Sequence, residues 1–151
     1  MSDEGFRITT LNAVTLITIG LFLAGFPLVW VVVRESYGQT APVTLGGDYR
    51  GWMMAHLEGL LNGLLVIGLA ATTRLRPMTQ TKERVLLWSL LIAAWGNTIA
   101  SLMAPLLGVR GMAFNQSAPN NLVAAMFIVA LAATVPALFV GIQHLAKRTP
   151  A

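Results

Sequence analysis

Four stretches of this chain, roughly 13–33, 52–73, 85–107 and 122–145, are almost wholly apolar. Each holds about 20 residues or more, which at about 1.5 Å per residue crosses ~30 Å of hydrocarbon. A backbone in lipid finds no water, so its N–H and C=O groups must be satisfied within the segment and each run is expected to be a helix. The expected fold is therefore all-α: an integral membrane protein, a single domain over 1–151 built as a bundle of four transmembrane helices. Composition agrees, since 56% of the residues are hydrophobic and 11% are charged, whereas a soluble domain is about a quarter charged. The chain has no cysteine, which excludes disulfides, thiolate nucleophiles, iron–sulfur ligation and thiolate zinc sites. Its net charge of +4 comes from scattered residues and not from a basic stripe, so it does not point to nucleic acid. The leading segment MSDEGFRITTLN is acidic and polar and the run after it is too long for a signal core, so a cleaved leader is not expected.

Lys and Arg set the expected orientation. Seven lie in the N-terminal tail, the second loop and the C-terminal tail (Arg7, Arg74, Arg76, Lys82, Arg84, Lys147, Arg148), against three in the other two loops (Arg34, Arg50, Arg110). Positive charge is retained on the cytoplasmic side, which predicts that both termini and the second loop are cytoplasmic. The expected location is a bacterial-type inner (cytoplasmic) membrane, crossed several times. The short second loop, RLRPMTQTKER, requires an antiparallel hairpin of helices two and three, with Pro77 in the turn and Thr79–Gln80–Thr81 suited to a helix cap. Pro27 and Pro136 fall inside helices one and four, where neighbouring helices tolerate kinks.

The run at 51–63 reads GWMMAHLEGLLNG and carries three polar side chains at membrane depth. Counted inward from Arg50, His56 lies ~9 Å deep, Glu58 ~12 Å and Asn62 ~18 Å; on the antiparallel third helix Ser101 lies ~9 Å and Asn97 ~15 Å deep. These five groups are expected to share the outer half of the bundle. Ionisable groups in a span face the protein interior and mark a site by default. His56 reads either as a core histidine bonded across helices or as a metal or haem ligand. Gly59 and Gly63 follow it on the same face and leave a bare surface, open to a planar macrocycle or to a packed helix. His144, the second of the two histidines, lies roughly 25 Å from His56 in depth, so one subunit cannot ligate one haem with both. A single imidazole with an open opposite position suits ligand binding or Lewis-acid chemistry better than electron transfer. Glu58 reads as a buried acid, a proton relay or a partner of Arg50, and the asparagines and Ser101 as interhelical hydrogen-bonding groups or site residues.

Three motifs in order, GW-x-x-A-H-x-x-x-x-L-N-G at Gly51–Gly63, W-x-N at Trp95–Asn97 and R-G-x-x-F at Arg110–Phe114, resemble the membrane-bound styrene oxide isomerases. The resemblance implies a four-helix subunit, a homotrimer, and haem b near the subunit interfaces, its iron held by His56. It implies a Meinwald rearrangement, in which ferric haem acts as Lewis acid on an epoxide and a hydride shift yields an aldehyde or ketone. It also implies that Asn62 orients the substrate. The family's tyrosine on helix three corresponds to Ser101, and Glu58 stands in a stretch the family keeps small and uncharged. The substrate pocket is then expected to be lined by Asn62, Ser101, Asn97 and Glu58, with Gly59 and Gly63 giving clearance to the haem. The vacated volume suits a different or larger hydrophobic epoxide. Two rival readings differ in class: a non-enzymatic membrane haem protein (gas sensor, haem carrier or electron-transfer subunit), and a haem-free structural or transport subunit whose glycines only pack helices.

Overall fold

The structure, a computed structural model, describes residues 3–37, 46–75 and 78–146. Pro77, expected to make the hairpin turn, and Arg76, Lys147 and Arg148, counted toward the orientation, lie outside the described residues. Four helices, Asp3–Tyr37, Tyr49–Leu75, Gln80–Leu106 and Ala118–Ala146, are long and apolar enough to cross a membrane. They are called the first to fourth helices below.

The first helix starts at Asp3, well before the apolar run. Its polar side chains satisfy themselves on their own helix: Thr9 Oγ1 donates to Gly5 O (2.7 Å), Asn12 Nδ2 to Ile8 O (2.9 Å) and Thr15 Oγ1 to Leu11 O (2.9 Å). Such back-bonding lets a polar stretch stay helical, and Asp3 and Glu4 in the first turn oppose the positive end of the helix dipole. The helix is α-helical over Asp3–Thr18, turns π-helical over Ile19–Ala24, and resumes as α-helix over Gly25–Tyr37.

The other ends are capped by short local devices. Asp48 Oδ1 accepts from Gly51 N (2.8 Å) at the start of the second helix. Thr79 occupies the extended N-cap position of the third, where its carbonyl, not its side chain, takes the Glu83 N–H (3.0 Å). The third helix ends on Gly108 at φ +63°, with Gly108 N bonded to Pro105 O and Val109 N to Ala104 O. That pair of bonds is a Schellman motif, which needs a left-handed residue.

The second helix packs against both the first and the third, and the fourth packs chiefly on the third. One buried cluster (Ala13, Leu16, Val66, Leu90, Ala137 and neighbours) joins all four helices. Beyond it the core divides: Ala24, Val31, Trp52 and Ala55 link the first helix to the second, and Ala100, Ala104 and Val123 link the third to the fourth. The polar residues of GWMMAHLEGLLNG lie along this divided half.

Candidate functional site

His56 is half-buried on the second helix, and its Nδ1 lies 2.9 Å from Gly20 O on the first helix. A backbone carbonyl can only accept, so the neutral ring places its proton on Nδ1. This leaves the Nε2 lone pair as the free basic position, the arrangement by which a second group orients a metal-ligating histidine. The accepting carbonyl lies within the π-helical segment Ile19–Ala24, and such wide turns interrupt α-helices most often at functional sites. Gly25, on the same helix, lies beside the ring: a Cβ there would come into ordinary contact with it, 3.4 Å from Nδ1 and 3.7 Å from Cε1.

The carbonyl reaches His56 because the first two helices cross on glycine. A Cβ on Gly59 would sit 2.5 Å from Gly20 Cα, and a Cβ on Gly20 would sit 2.8 Å from Leu60 N. One turn further, a Cβ on Gly63 would meet Ile17 Cγ1 at 2.5 Å and Ala13 O at 2.8 Å. The bare face that the sequence left open to a macrocycle or to a helix is therefore filled by the first helix. Sequence reasoning missed Gly20 and Gly25. Their signal is two small residues inside the first apolar run, the usual mark of close helix approach in membranes.

Asn62 and Glu58 face a different neighbour. Asn62 Nδ2 donates to Glu58 Oε2 at 2.9 Å, with Asn62 7% exposed and Glu58 half-buried. Six residues separate His56 from Asn62, about 120° around the helix, so the two do not share a face. Glu58 and Asn62 lie on the face that carries Gly51, which packs on Pro105 of the third helix. From that contact the antiparallel register runs inward to Ser101, level with Ala55, and then to Thr98, level with Glu58. Ser101 is 3% exposed and Thr98 0%, and neither hydroxyl has a hydrogen-bond partner. Thr98 was not anticipated, because a threonine in a span ordinarily bonds its own backbone. Asn97 is half-buried and takes no hydrogen bond among the described residues.

Of the remaining motif residues, Trp52 and Gly111 tie down the loops next to the second and fourth helices, and Trp95 joins the third helix to the first. Trp52 Nε1 donates to Gly46 O (2.8 Å), and Trp95 Nε1 donates to Asn12 Oδ1 of the first helix (2.9 Å). Gly111, at φ +61°, donates its N–H to the buried Asn120 Oδ1 (2.9 Å) and leaves no room for a Cβ against Val123. Arg50 and Arg110 are exposed.

This architecture, four spans with a carbonyl-oriented histidine and an amide–carboxylate pair on the second, can be set beside known proteins. The family model of styrene oxide isomerase matches residues 6–146. The chain belongs to the styrene oxide isomerase family. The match runs from the first helix to the end of the fourth, beyond the two helices and one loop whose motifs carry the resemblance. No curated protein matches the chain. The activity class of this styrene oxide isomerase family member is isomerisation, and its four apolar helices make it a multi-pass membrane protein. Among the described residues no three His, Cys, Asp or Glu side chains group as a metal cluster. His56 therefore belongs to no such three-residue group among the described residues.

Proposed function

We propose that this protein is a haem b-dependent epoxide isomerase, a homotrimer with both termini in the cytoplasm, that converts a hydrophobic aryl epoxide to an aldehyde or ketone. The observation that carries the reading is the His56 ring, tied through Nδ1 to Gly20 O with Nε2 left as a ligand. One imidazole cannot hold a bare ion, but it suits a macrocycle that brings its own four nitrogens. When bound, ferric haem supplies a Lewis-acidic iron for the epoxide oxygen. The chain's own residues do the rest. Gly20, Gly59 and Gly63 fix the helix crossing that aims His56. Asn62 orients the substrate, and Ser101, Thr98 and Asn97 offer polar contacts along the same seam. Apolar walls keep water from the carbon that turns cationic as the ring opens, so a hydride shift wins over hydration.

An absorption spectrum of detergent-purified protein beside His56→Ala tests the cofactor. A Soret band in the wild type that is lost or shifted in the variant is expected. A missing band, or one indifferent to His56, ends the haem reading. Incubating the ferric protein with styrene oxide and bulkier aryl epoxides tests the reaction. Aldehyde or ketone from at least one is expected, and neither from any of them leaves only a haem-binding protein.

A further inference from the structure

Glu58 is the acidic residue of the second helix, and the reading above leaves it without a task. Its Oε2 accepts from Asn62 Nδ2 at 2.9 Å, and Glu58 is the only partner of Asn62 among the described residues. The two are four residues apart, so they stack on one helical face. The hydroxyls of Thr98 and Ser101 on the third helix, level with this part of the second, are buried and without a hydrogen-bond partner.

An asparagine amide presents nearly the same shape when turned over, with donor and acceptor exchanged. A carboxylate oxygen removes that freedom, since it accepts and cannot donate. Nδ2 therefore faces Glu58, and Oδ1 is directed away from it. We infer that Glu58 is a positioning residue: it locks the side-chain amide of Asn62 in one sense, so that Asn62 turns its carbonyl oxygen, not its N–H, toward the substrate. Held this way, the amide meets a substrate carbon of growing positive character with an oxygen, while one of its two N–H donors is committed to Glu58. The inference rests on the epoxide-isomerase reading, in which Asn62 touches the substrate, and it replaces the expected pocket-lining place of Glu58 by one behind Asn62.

The test has a spectroscopic arm and a kinetic arm, both on full-length protein in detergent or nanodiscs. In infrared spectra, the Glu58 carboxyl band is assigned as the one lost in Glu58→Gln. It is expected to shift in Asn62→Ala, and an unshifted band overturns the inference whether or not the protein is an isomerase. In the kinetic arm, turnover of styrene oxide, or of whichever aryl epoxide the wild type rearranges, is measured for Glu58→Ala, Glu58→Gln, Asn62→Ala and the Glu58→Ala/Asn62→Ala double variant. Misorienting a substrate-positioning group predicts about a tenfold loss of kcat/KM in Glu58→Ala. Glu58→Gln keeps an acceptor for Nδ2 and should recover most of that loss. In the Asn62→Ala background, removing Glu58 should cost less than about twofold more, the non-additivity of two groups acting as one. Equal losses in Ala and Gln, or additive losses in the double variant, overturn positioning. An unchanged Soret band in all Glu58 variants separates either outcome from damage to the haem site. A wild type that rearranges no aryl epoxide removes the isomerase reading and the positioning role together, while the infrared band still reports the bond.

Discussion

Thr98 and Ser101 carry the two buried hydroxyls of the divided half, and their behaviour differs from that of the other threonines in the spans. Thr18 and Thr134 donate to the carbonyl four residues back (2.8 and 2.9 Å), and Thr72 and Thr73 to the carbonyl three back (both 2.9 Å). Thr98 and Ser101 do neither. A buried hydroxyl without a partner costs about 1–3 kcal/mol, so replacing it with an apolar group of the same shape removes a penalty. Thr98→Val is accordingly expected to leave the protein as stable as wild type or up to about 1 kcal/mol more so, read from thermal unfolding in detergent. A fall in stability would mean that a water or ligand bonds this hydroxyl. The candidate residues were legible at this scale: His56 and Asn62 stood out as polar groups within an ordered motif in an apolar run. Their partners were not. Gly20 is 36 residues from His56, and the pairing depends on how two helices cross, which periodicity along one helix does not record. Glu58 and Asn62, four apart, were legible as neighbours, but the sense of the bond between them was not.

Glycines distinguish helices that cross from helices that face lipid. An added methyl at Gly20 or Gly59 would strike backbone, whereas at Gly68 nothing lies within 4 Å. Gly20→Ala must push the first helix away from the second, and overpacking of this kind costs about 1–3 kcal/mol. It should also lengthen the Nδ1 contact and free the His56 ring, seen as a shifted or weakened Soret band. Gly68→Ala should instead stabilise the second helix by about 0.5–1 kcal/mol with the spectrum unchanged, because only backbone entropy is altered. Thermal unfolding and absorption spectra of the two variants, side by side, check both. The four helices were legible from the lengths of the apolar runs, since hydrocarbon thickness fixes the minimum span. The start of the first helix was not, because DEGFRITTLN reads as polar until its side chains are seen to bond their own turns. The π-helical segment left no mark either: IGLFLA has the composition of any membrane α-helix.

The whole molecule presents large apolar side chains outward on every helix, among them Phe26, Leu61, Trp88, Ile92, Leu131 and Phe139. Lipid and a second subunit both cover such a surface, so the outer shape by itself fixes neither the orientation nor the trimer. Charge placement is the stronger guide. The hairpin between the second and third helices carries Arg74, Arg76, Lys82 and Arg84, against Arg110 alone in the loop that joins the third to the fourth. Moving such a basic loop across an energised membrane is disfavoured, so the hairpin should stay in the cytoplasm. The absence of native cysteine makes this measurable, since any introduced thiol is the only one. Thr79, exposed at the hairpin end of the third helix, and Met112, 84% exposed in the opposite loop, are the two positions to use. In intact cells a membrane-impermeant maleimide should label Met112→Cys and leave Thr79→Cys untouched, and in inside-out vesicles the pattern should reverse. The opposite pattern would turn the molecule over. It would then place His56, which lies two turns in from Asp48 at the start of its helix, nearer the cytoplasmic face, and any epoxide would have to be traced to that side.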